Sequence, residues 1–289
     1  MRQAILGIIG GSGIYDMEAL QDAREVRVET PFGDPSDAIV LGTLAGIRVA
    51  FLPRHGRGHR IMPNELNARA NIYALKSLGV EYIVSVSECG RMREEFARRD
   101  IVIPDQIFDR TKGRPSTFFG GGLVVHIGFD EPFCPVLSEL VYQAVKETGA
   151  TVHKGGTFVV IEGPQFSTKA ESRIYRQWGV DIIGMTAVPE AKLAREAEIC
   201  YAAMAHVTDY DVWHEAEGPV SVAMVIENLQ ANAAIAKQAL TYLAPMIAEK
   251  KERSCTCASA LASAIVTERD QIPETVRTDL ALLLDKYLL

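Results

Sequence analysis

The sequence predicts a single α/β domain, and three observations carry that expectation. Short apolar runs alternate with stretches of helical spacing, the layout of strands and helices packed in layers. Several apolar runs end in polar, donor-rich loops, as at strand ends that face a ligand. The chain has 289 residues, of which 48% are apolar. That is enough for one sizeable core, and no repeat, low-complexity tract or linker divides residues 1–289.

Taken in order, Ala4–Ile9 reads as a buried strand running into Gly10-Gly11-Ser12-Gly13. This glycine-rich turn is either a plain tight turn or a cradle of backbone N–H groups for an anion, with the Ser12 hydroxyl adding a donor. It matches neither the dinucleotide fingerprint nor the P-loop. Ala38–Leu44 and Ile47–Leu52 form a hairpin about Ala45-Gly46. Asn67–Leu78 has helical spacing and stops at Gly79. Tyr82–Val86 and Ile101–Ile103 are strands, whereas Asp105–Pro115 and Phe118–Leu123 read as loop. Val136–Thr148 is an amphipathic helix. Thr157–Ile161 is a strand, and Lys169–Trp178 a helix capped by Ser167 or Thr168. Asp181–Ile183 is extended, and a helix over Glu190–Glu198 feeds the apolar run that begins at Ile199. Ser221–Ile247 and the leucine-rich Pro273–Leu288 complete the chain, so the C-terminal helices occupy about 220–289.

The formal charge of −7 argues against a general nucleic-acid binder. No apolar run is long enough to span a bilayer and no signal-peptide pattern opens the sequence, so a cytoplasmic protein without a membrane partner is expected. The five cysteines read as reduced, buried thiols, with a redox role for Cys255-Thr256-Cys257 as the competing reading. That pair is too close for a zinc site without partners nearby, and no metal is expected.

Two stretches point to chemistry. Arg54-His55-Gly56-Arg57-Gly58-His59-Arg60 concentrates cations in an acidic protein. It is either a solvated loop or an oxyanion site, where arginine offers a planar fork matched to phosphate. Thr208-Asp209-Tyr210-Asp211 closes an apolar strand. If the backbone stays extended there, Asp209 and Asp211 share a face. Buried carboxylates are costly unless something requires them. An anion grip together with an isolated acid suits cleavage of an N-glycosidic bond by phosphate, the acid delivering a proton to the departing base. Burial of Asp209 beside Asp211 would raise its pKa as that role demands.

Seven motifs, in order, make the sequence resemble a known family. They are GGSG (Gly10–Gly13), TPFG (Thr30–Gly33), PRHGRGH (Pro53–His59), MPNELN (Met62–Asn67), EGPQFSTKAES (Glu162–Ser172), GMTAVPEAKLAREA (Gly184–Ala197) and TDYDVW (Thr208–Trp213). The set is similar to the 5′-methylthioadenosine phosphorylases, in the trimeric branch of the purine nucleoside phosphorylases. The match runs from about Gly7 to Asn232. It implies a central mixed β-sheet, partly closed into a barrel and surrounded by helices. It implies a pentosyltransferase of methionine and purine salvage that converts 5′-methylthioadenosine and phosphate to adenine and 5-methylthioribose 1-phosphate. Phosphate is a co-substrate, no cofactor is implied, and the assembly is a homotrimer. Ser12, Arg54, His55, Ser87 and Thr186 would hold phosphate. Met185 would pack under the ribose, and Phe166 and Ser167 would flank the base, with Asp209 at N7 and Asp211 near the 6-amino group. Val222, Val225 and Ile226 would form the wall for the methylthio group. His126 would come from the neighbouring subunit, and leucines around Leu280–Leu283 would close the 5′ pocket.

Asp209 favours a 6-aminopurine, because the 6-oxopurine branch places Asn there; a 6-oxopurine phosphorylase is the alternative within the family. One departure bears on the anion. Family members carry Ala-Cys-Gly-Ser where this chain has Glu88-Cys89-Gly90-Arg91. A carboxylate about 5 Å from phosphate would cost roughly 3 kcal/mol per unit charge at an effective dielectric of about 20. Glu88 is therefore expected to pair with Arg91 or Arg93 and turn aside. Otherwise phosphate use is weakened, leaving a nucleosidase in which Glu88 orients water, or a silent nucleoside-binding protein.

Overall fold

The computed structural model describes residues 3–11, 19–214, 222–250 and 253–288, with only the backbone of 222–230. Among the described residues, eleven strands form one mixed sheet in the order β2-β3-β4-β1-β5-β10-β9-β7, and β11, β6 and β8 branch from β5. Seven α-helices of the described residues pack around it. The pairings branch at β5 and do not run round a complete ring among the described residues.

β1 (Leu6–Gly10) lies between β4 (Ile47–Pro53) and β5 (Tyr82–Arg91), parallel to both. All five of its residues are buried, and its near-continuous apolar run suits a parallel strand covered on both faces. β3 (Ile39–Leu44) and β4 form the expected hairpin, with Leu44 paired to Ile47 and positive φ at Ala45 and Gly46. β2 (Gln21–Val26) edges this hairpin. α1 (Ala68–Ser77) begins at Asn67, whose side chain accepts the Ala70 N–H, and ends before Gly79 at φ +88°.

β5 is the pivot. Its first half pairs with β1 as far as Val86, and its end pairs antiparallel with β10 (Ile182–Gly184) at Gly90 and Arg91. Between those contacts, β1 and β10 diverge and leave one edge of Ser87–Cys89 without a strand. Along its other edge runs β11 (Cys200–Asp209), parallel and buried at every residue. Ligand sites in α/β sheets form at such divergences.

Four expectations need correction. The strand at Tyr82 continues to Arg91 instead of stopping at Val86. Asp105–Pro115 contains β7 (Gln106–Arg110), paired parallel to β9 (Thr157–Ile161). The C-terminal helix is two, α6 (Glu274–Asp279) and α7 (Ala281–Leu288), broken at Leu280. Finally, the backbone leaves extension after Asp209: Asp211 has φ +52° and donates its N–H to Asp209 Oδ1 at 2.8 Å. This turn, not a shared strand face, brings the two carboxyls together.

The remaining elements follow their sequence signals. α2 (Pro135–Glu147) starts with proline in its first turn. α3 (Lys169–Gln177) has Thr168 as N-cap in a reciprocal capping box with Glu171. α4 (Ala187–Glu196) follows β10, and α5 spans Val222–Ala248. β6 (Ile101–Ile103) joins β11 to β8 (Val152–Lys154). Leu280, Leu283 and Leu284 are buried in the same core as Ile9 and Ile83. Among the described residues, no helix is long and apolar enough to cross a membrane.

Candidate active site

A cavity of about 230 Å³ opens where β1 and β10 part from β5. Its wall is built from the ends of β4, β5, β10 and β11 and from the loops that follow them. Arg54, His55, Ser87, Phe166, Met185, Thr186, Asp209 and Asp211 all line it, so one site collects residues remote in sequence. Ser167 is buried next to Phe166, and its Oγ has no hydrogen-bond partner among the described residues. Ser12 lies outside the described residues, as do the side chains of Val222, Val225 and Ile226. His126 is exposed, and neither it nor the C-terminal leucines line this cavity.

One end is rich in hydroxyls and nitrogen. Ser87 Oγ is buried and unpartnered among the described residues, a donor held ready by β5. Thr186 precedes α4 and makes no capping bond with its side chain, so its hydroxyl too is uncommitted there. Arg114 fixes this loop by donating from Nη1 to the carbonyls of Met185 (2.7 Å) and Val188 (2.8 Å). Arg54 is 1% exposed. Its Nε donates to Glu190 Oε1 at 2.6 Å, and Nη2 donates to Ser85 Oγ at 2.6 Å and Glu190 Oε2 at 3.3 Å. Nη1 donates to the Val86 carbonyl at 3.0 Å. The guanidinium is thus a fixed cation clasped by a buried carboxylate. Tyr201 and Ser85 hold that carboxylate through hydrogen bonds of 2.9 and 3.1 Å to Oε2.

His55 stacks on His59 with ring centroids 4.4 Å apart. Burial, reinforced by the Arg54 charge, pulls its pKa down to about 4, so the ring is neutral at neutral pH. Its Nδ1 lies 2.8 Å from the Ile61 carbonyl, which can only accept. The proton therefore sits on Nδ1, and Nε2 is left as an acceptor.

The other end carries the carboxyls. Asp209 Oδ2 accepts the Thr208 hydroxyl at 2.6 Å, and Oδ1 accepts the Asp211 N–H. Burial raises the Asp209 pKa against those bonds. Asp211 is pushed up to about 6, first by burial and then by the Asp209 charge, and its Oδ2 has no partner among the described residues. Gly90 permits this packing. A Cβ there would lie 2.9 Å from Ile183 Cγ2 and 3.0 Å from Asp209 Oδ1.

Glu88 does not turn aside to an arginine. Arg93 pairs with Asp181 at 2.7 Å, and the Arg91 guanidinium stacks 3.3 Å from the Tyr210 ring centroid. Glu88 lines the cavity, and its Oε2 accepts from Asn232 Nδ2 at 2.7 Å. Burial, opposed by that bond and assisted by Asp209, raises its pKa to about 8. Near neutrality Glu88 is mainly a neutral acid, which removes the repulsion that the sequence predicts for a carboxylate at this position.

Sequence reasoning missed the groups that position these side chains. Glu190 is a carboxylate set among Ala187, Val188, Pro189 and Ala191 in the buried first turn of its helix, a signal that it answers a buried cation. Asn232 and Arg114 carry no comparable mark, because their roles depend on contacts between elements remote in sequence.

A family model described as the phosphorylase superfamily matches residues 5–244. The S-methyl-5′-thioadenosine phosphorylase of Gloeobacter violaceus is 57% identical over 289 residues, covering 99% of this chain and 96% of its own. That of Geobacter sulfurreducens is 54% identical, covering 99% and 100%. Among solved structures, a methylthioadenosine phosphorylase from an Antarctic soil metagenomic library superposes with a TM-score of 0.94 at 50% identity, covering 98% of this chain and 100% of that one. Methylthioadenosine phosphorylase from Schistosoma mansoni in complex with adenine gives 0.83 at 34% identity, covering 98% of both chains.

Proposed function

The chain belongs to the phosphorylase superfamily, and we infer from this premise that it is a pentosyltransferase of purine and methionine salvage. It converts 5′-methylthioadenosine and phosphate to adenine and 5-methylthioribose 1-phosphate. The observation that carries this reading is one cavity with hydroxyl donors at one end and two buried aspartates at the other, in a chain 57% identical throughout to a phosphorylase of that specificity.

The residue roles follow from the chemistry. Phosphate sits at the hydroxyl-rich end, where Ser87, Thr186 and the Ser12 loop donate, beside the Arg54 guanidinium that Glu190 holds in place. The neutral His55 accepts a hydrogen bond at Nε2 from the P–OH of monohydrogen phosphate, whose proton stays on the phosphate oxygen. Met185 packs under the ribose, and Phe166 and Ser167 flank the base. As the glycosidic bond lengthens, positive charge grows on the sugar carbon and negative charge on the purine. Phosphate stabilises the first, and the proton of Asp209 at N7 stabilises the second. Asp211 accepts from the 6-amino group. Val222, Val225 and Ile226 surround the methylthio group, with His126 supplied by the neighbouring subunit of a homotrimer. The protein works in the cytoplasm and takes phosphate as co-substrate without a cofactor.

The Glu88 acid supports phosphorolysis over hydrolysis. A carboxyl protonated near neutrality is a poor base for activating water, and it adds no charge beside phosphate. Incubating the protein with 5′-methylthioadenosine with and without phosphate tests the reading. Adenine release is expected only with phosphate. Equal release in both would make it a nucleosidase, and faster turnover of inosine-type substrates would make it a 6-oxopurine enzyme. Light scattering on the eluting protein checks the trimer.

A further inference from the structure

Away from the cavity, four of the five cysteines meet. The sulfurs of Cys134, Cys200, Cys255 and Cys257 all lie within 4.8 Å of one another, and none is in a disulfide. They come from three separate parts of the fold: the N-cap of α2, the first residue of β11, and the turn after α5. Cys134, Cys200 and Cys257 are at most 2% exposed. The fifth, Cys89, lines the cavity described above and takes no part.

We propose that Cys134, Cys200, Cys255 and Cys257 form a four-thiolate site for a zinc-class divalent cation, one that fastens the C-terminal segment to β11 and α2. Three features carry it. The first is shape. A tetrahedron with metal–sulfur bonds of about 2.3 Å has sulfur–sulfur edges of about 3.8 Å. Cys200 and Cys255 are 3.3 Å apart and no pair exceeds 4.8 Å, so small side-chain adjustments reach that figure. The second is donors aimed at sulfur. The Leu137 N–H points at Cys134 Sγ and Arg195 Nη1 at Cys257 Sγ, both at 3.5 Å. Such second contacts orient and stabilise thiolate ligands. The third is charge. Binding releases four protons and leaves a divalent cation with four thiolates, a net charge of −2. Arg195, and Arg253 set against Cys200, supply two positive charges beside it.

The two cysteines separated by one residue, too close together to bind a metal alone, gain their missing partners from α2 and β11. The consequence is mechanical. The same C-terminal segment is held by Glu198, which accepts from the Leu261 N–H at 3.2 Å and from Lys286 Nζ at 3.0 Å. A metal at the cysteines would be a second, stronger fastening of that segment.

The test uses untagged, full-length protein, reduced and handled anaerobically, titrated with cobalt(II) alone. One equivalent per chain is expected to produce thiolate-to-cobalt charge transfer and the intense visible bands of tetrahedral cobalt. One equivalent of zinc(II) should abolish both. Metal loading should also slow amide exchange across 253–288, with phosphorolysis unchanged. Absence of the spectrum in folded, reduced wild-type protein overturns the proposal, as does its survival in a folded C255S/C257S variant. Should that variant fail to fold, C257S alone, with three ligands left, should give an altered cobalt spectrum and weaker retention against zinc; an unchanged spectrum overturns the proposal. Protein isolated metal-free with its four sulfurs in two disulfides, and still unable to bind cobalt once reduced, overturns it as well.

Discussion

At the scale of single residues, the account rests on where protons sit. Asp209→Asn removes the acid while keeping its shape. It is expected to slow turnover of 5′-methylthioadenosine by roughly 10²- to 10⁴-fold and to affect inosine-type nucleosides far less. Equal losses on both, in steady-state kinetics, would take Asp209 out of its role. Glu88 gives a pH prediction whose sign is fixed by its raised pKa. Between about 4.5, its ordinary value, and about 8, the folded protein holds a proton that the unfolded chain has released. Stability from this group is therefore complete at low pH and declines as pH rises through that window. Above about pH 8 the ionised Glu88 would repel phosphate, so the KM for phosphate should climb there. Glu88→Gln should flatten both profiles, as read by denaturant titration and by KM at several pH values. Glu190→Gln strands the buried Arg54 charge and should cost about 3–5 kcal/mol in unfolding free energy. The place of Asp209 in the cavity was legible in the sequence, since two carboxyls closing an apolar strand demand a reason. The partner of Glu88 was not: Asn232 is 144 residues away, and only the packing of α5 against β5 brings it there.

At the scale of elements, the strongly patterned segments could be read directly. α1, α2 and α3 have caps and helical spacing in the sequence, and β1, β3, β4 and β11 are apolar runs bounded by glycine or polar turns. The misread pieces lacked such patterns. β7 is Gln-Ile-Phe-Asp-Arg, with no apolar face, and becomes a strand only because β9 offers it an edge. The end of β5, Ser-Glu-Cys-Gly-Arg, looks like a loop yet is held extended by β10 and β11. That same extension exposes Ser87 and Glu88 to the cavity, so polar composition there reflects the site more than the backbone. Gly90 belongs to this argument. Gly90→Ala would force a methyl against Ile183 and Asp209. It should lower kcat/KM for the nucleoside sharply, and a variant with full activity would contradict the tight packing of the acid. Thr168→Ala at the start of α3 should cost only about 1 kcal/mol by thermal denaturation, the ordinary loss of a helix cap.

At the scale of the whole molecule, the sheet explains why one cavity gathers residues from Arg54 to Asp211. β1 and β10 part from β5, and the loops after β4, β5, β10 and β11 converge on the gap. The α/β class, the mixed sheet and the family were legible from ordered motifs. The branching at β5 was not, because strand order is decided by pairings between segments that carry no mutual mark in the sequence. The central claim is that an anion bound at the hydroxyl-rich end attacks the sugar carbon while the base departs protonated. The most direct measurement follows inorganic phosphate and adenine together during turnover of 5′-methylthioadenosine, with phosphorus NMR identifying the product. One phosphate consumed for each adenine released, with a sugar 1-phosphate resonance growing in step, is the predicted result. Adenine appearing while inorganic phosphate stays constant would contradict it.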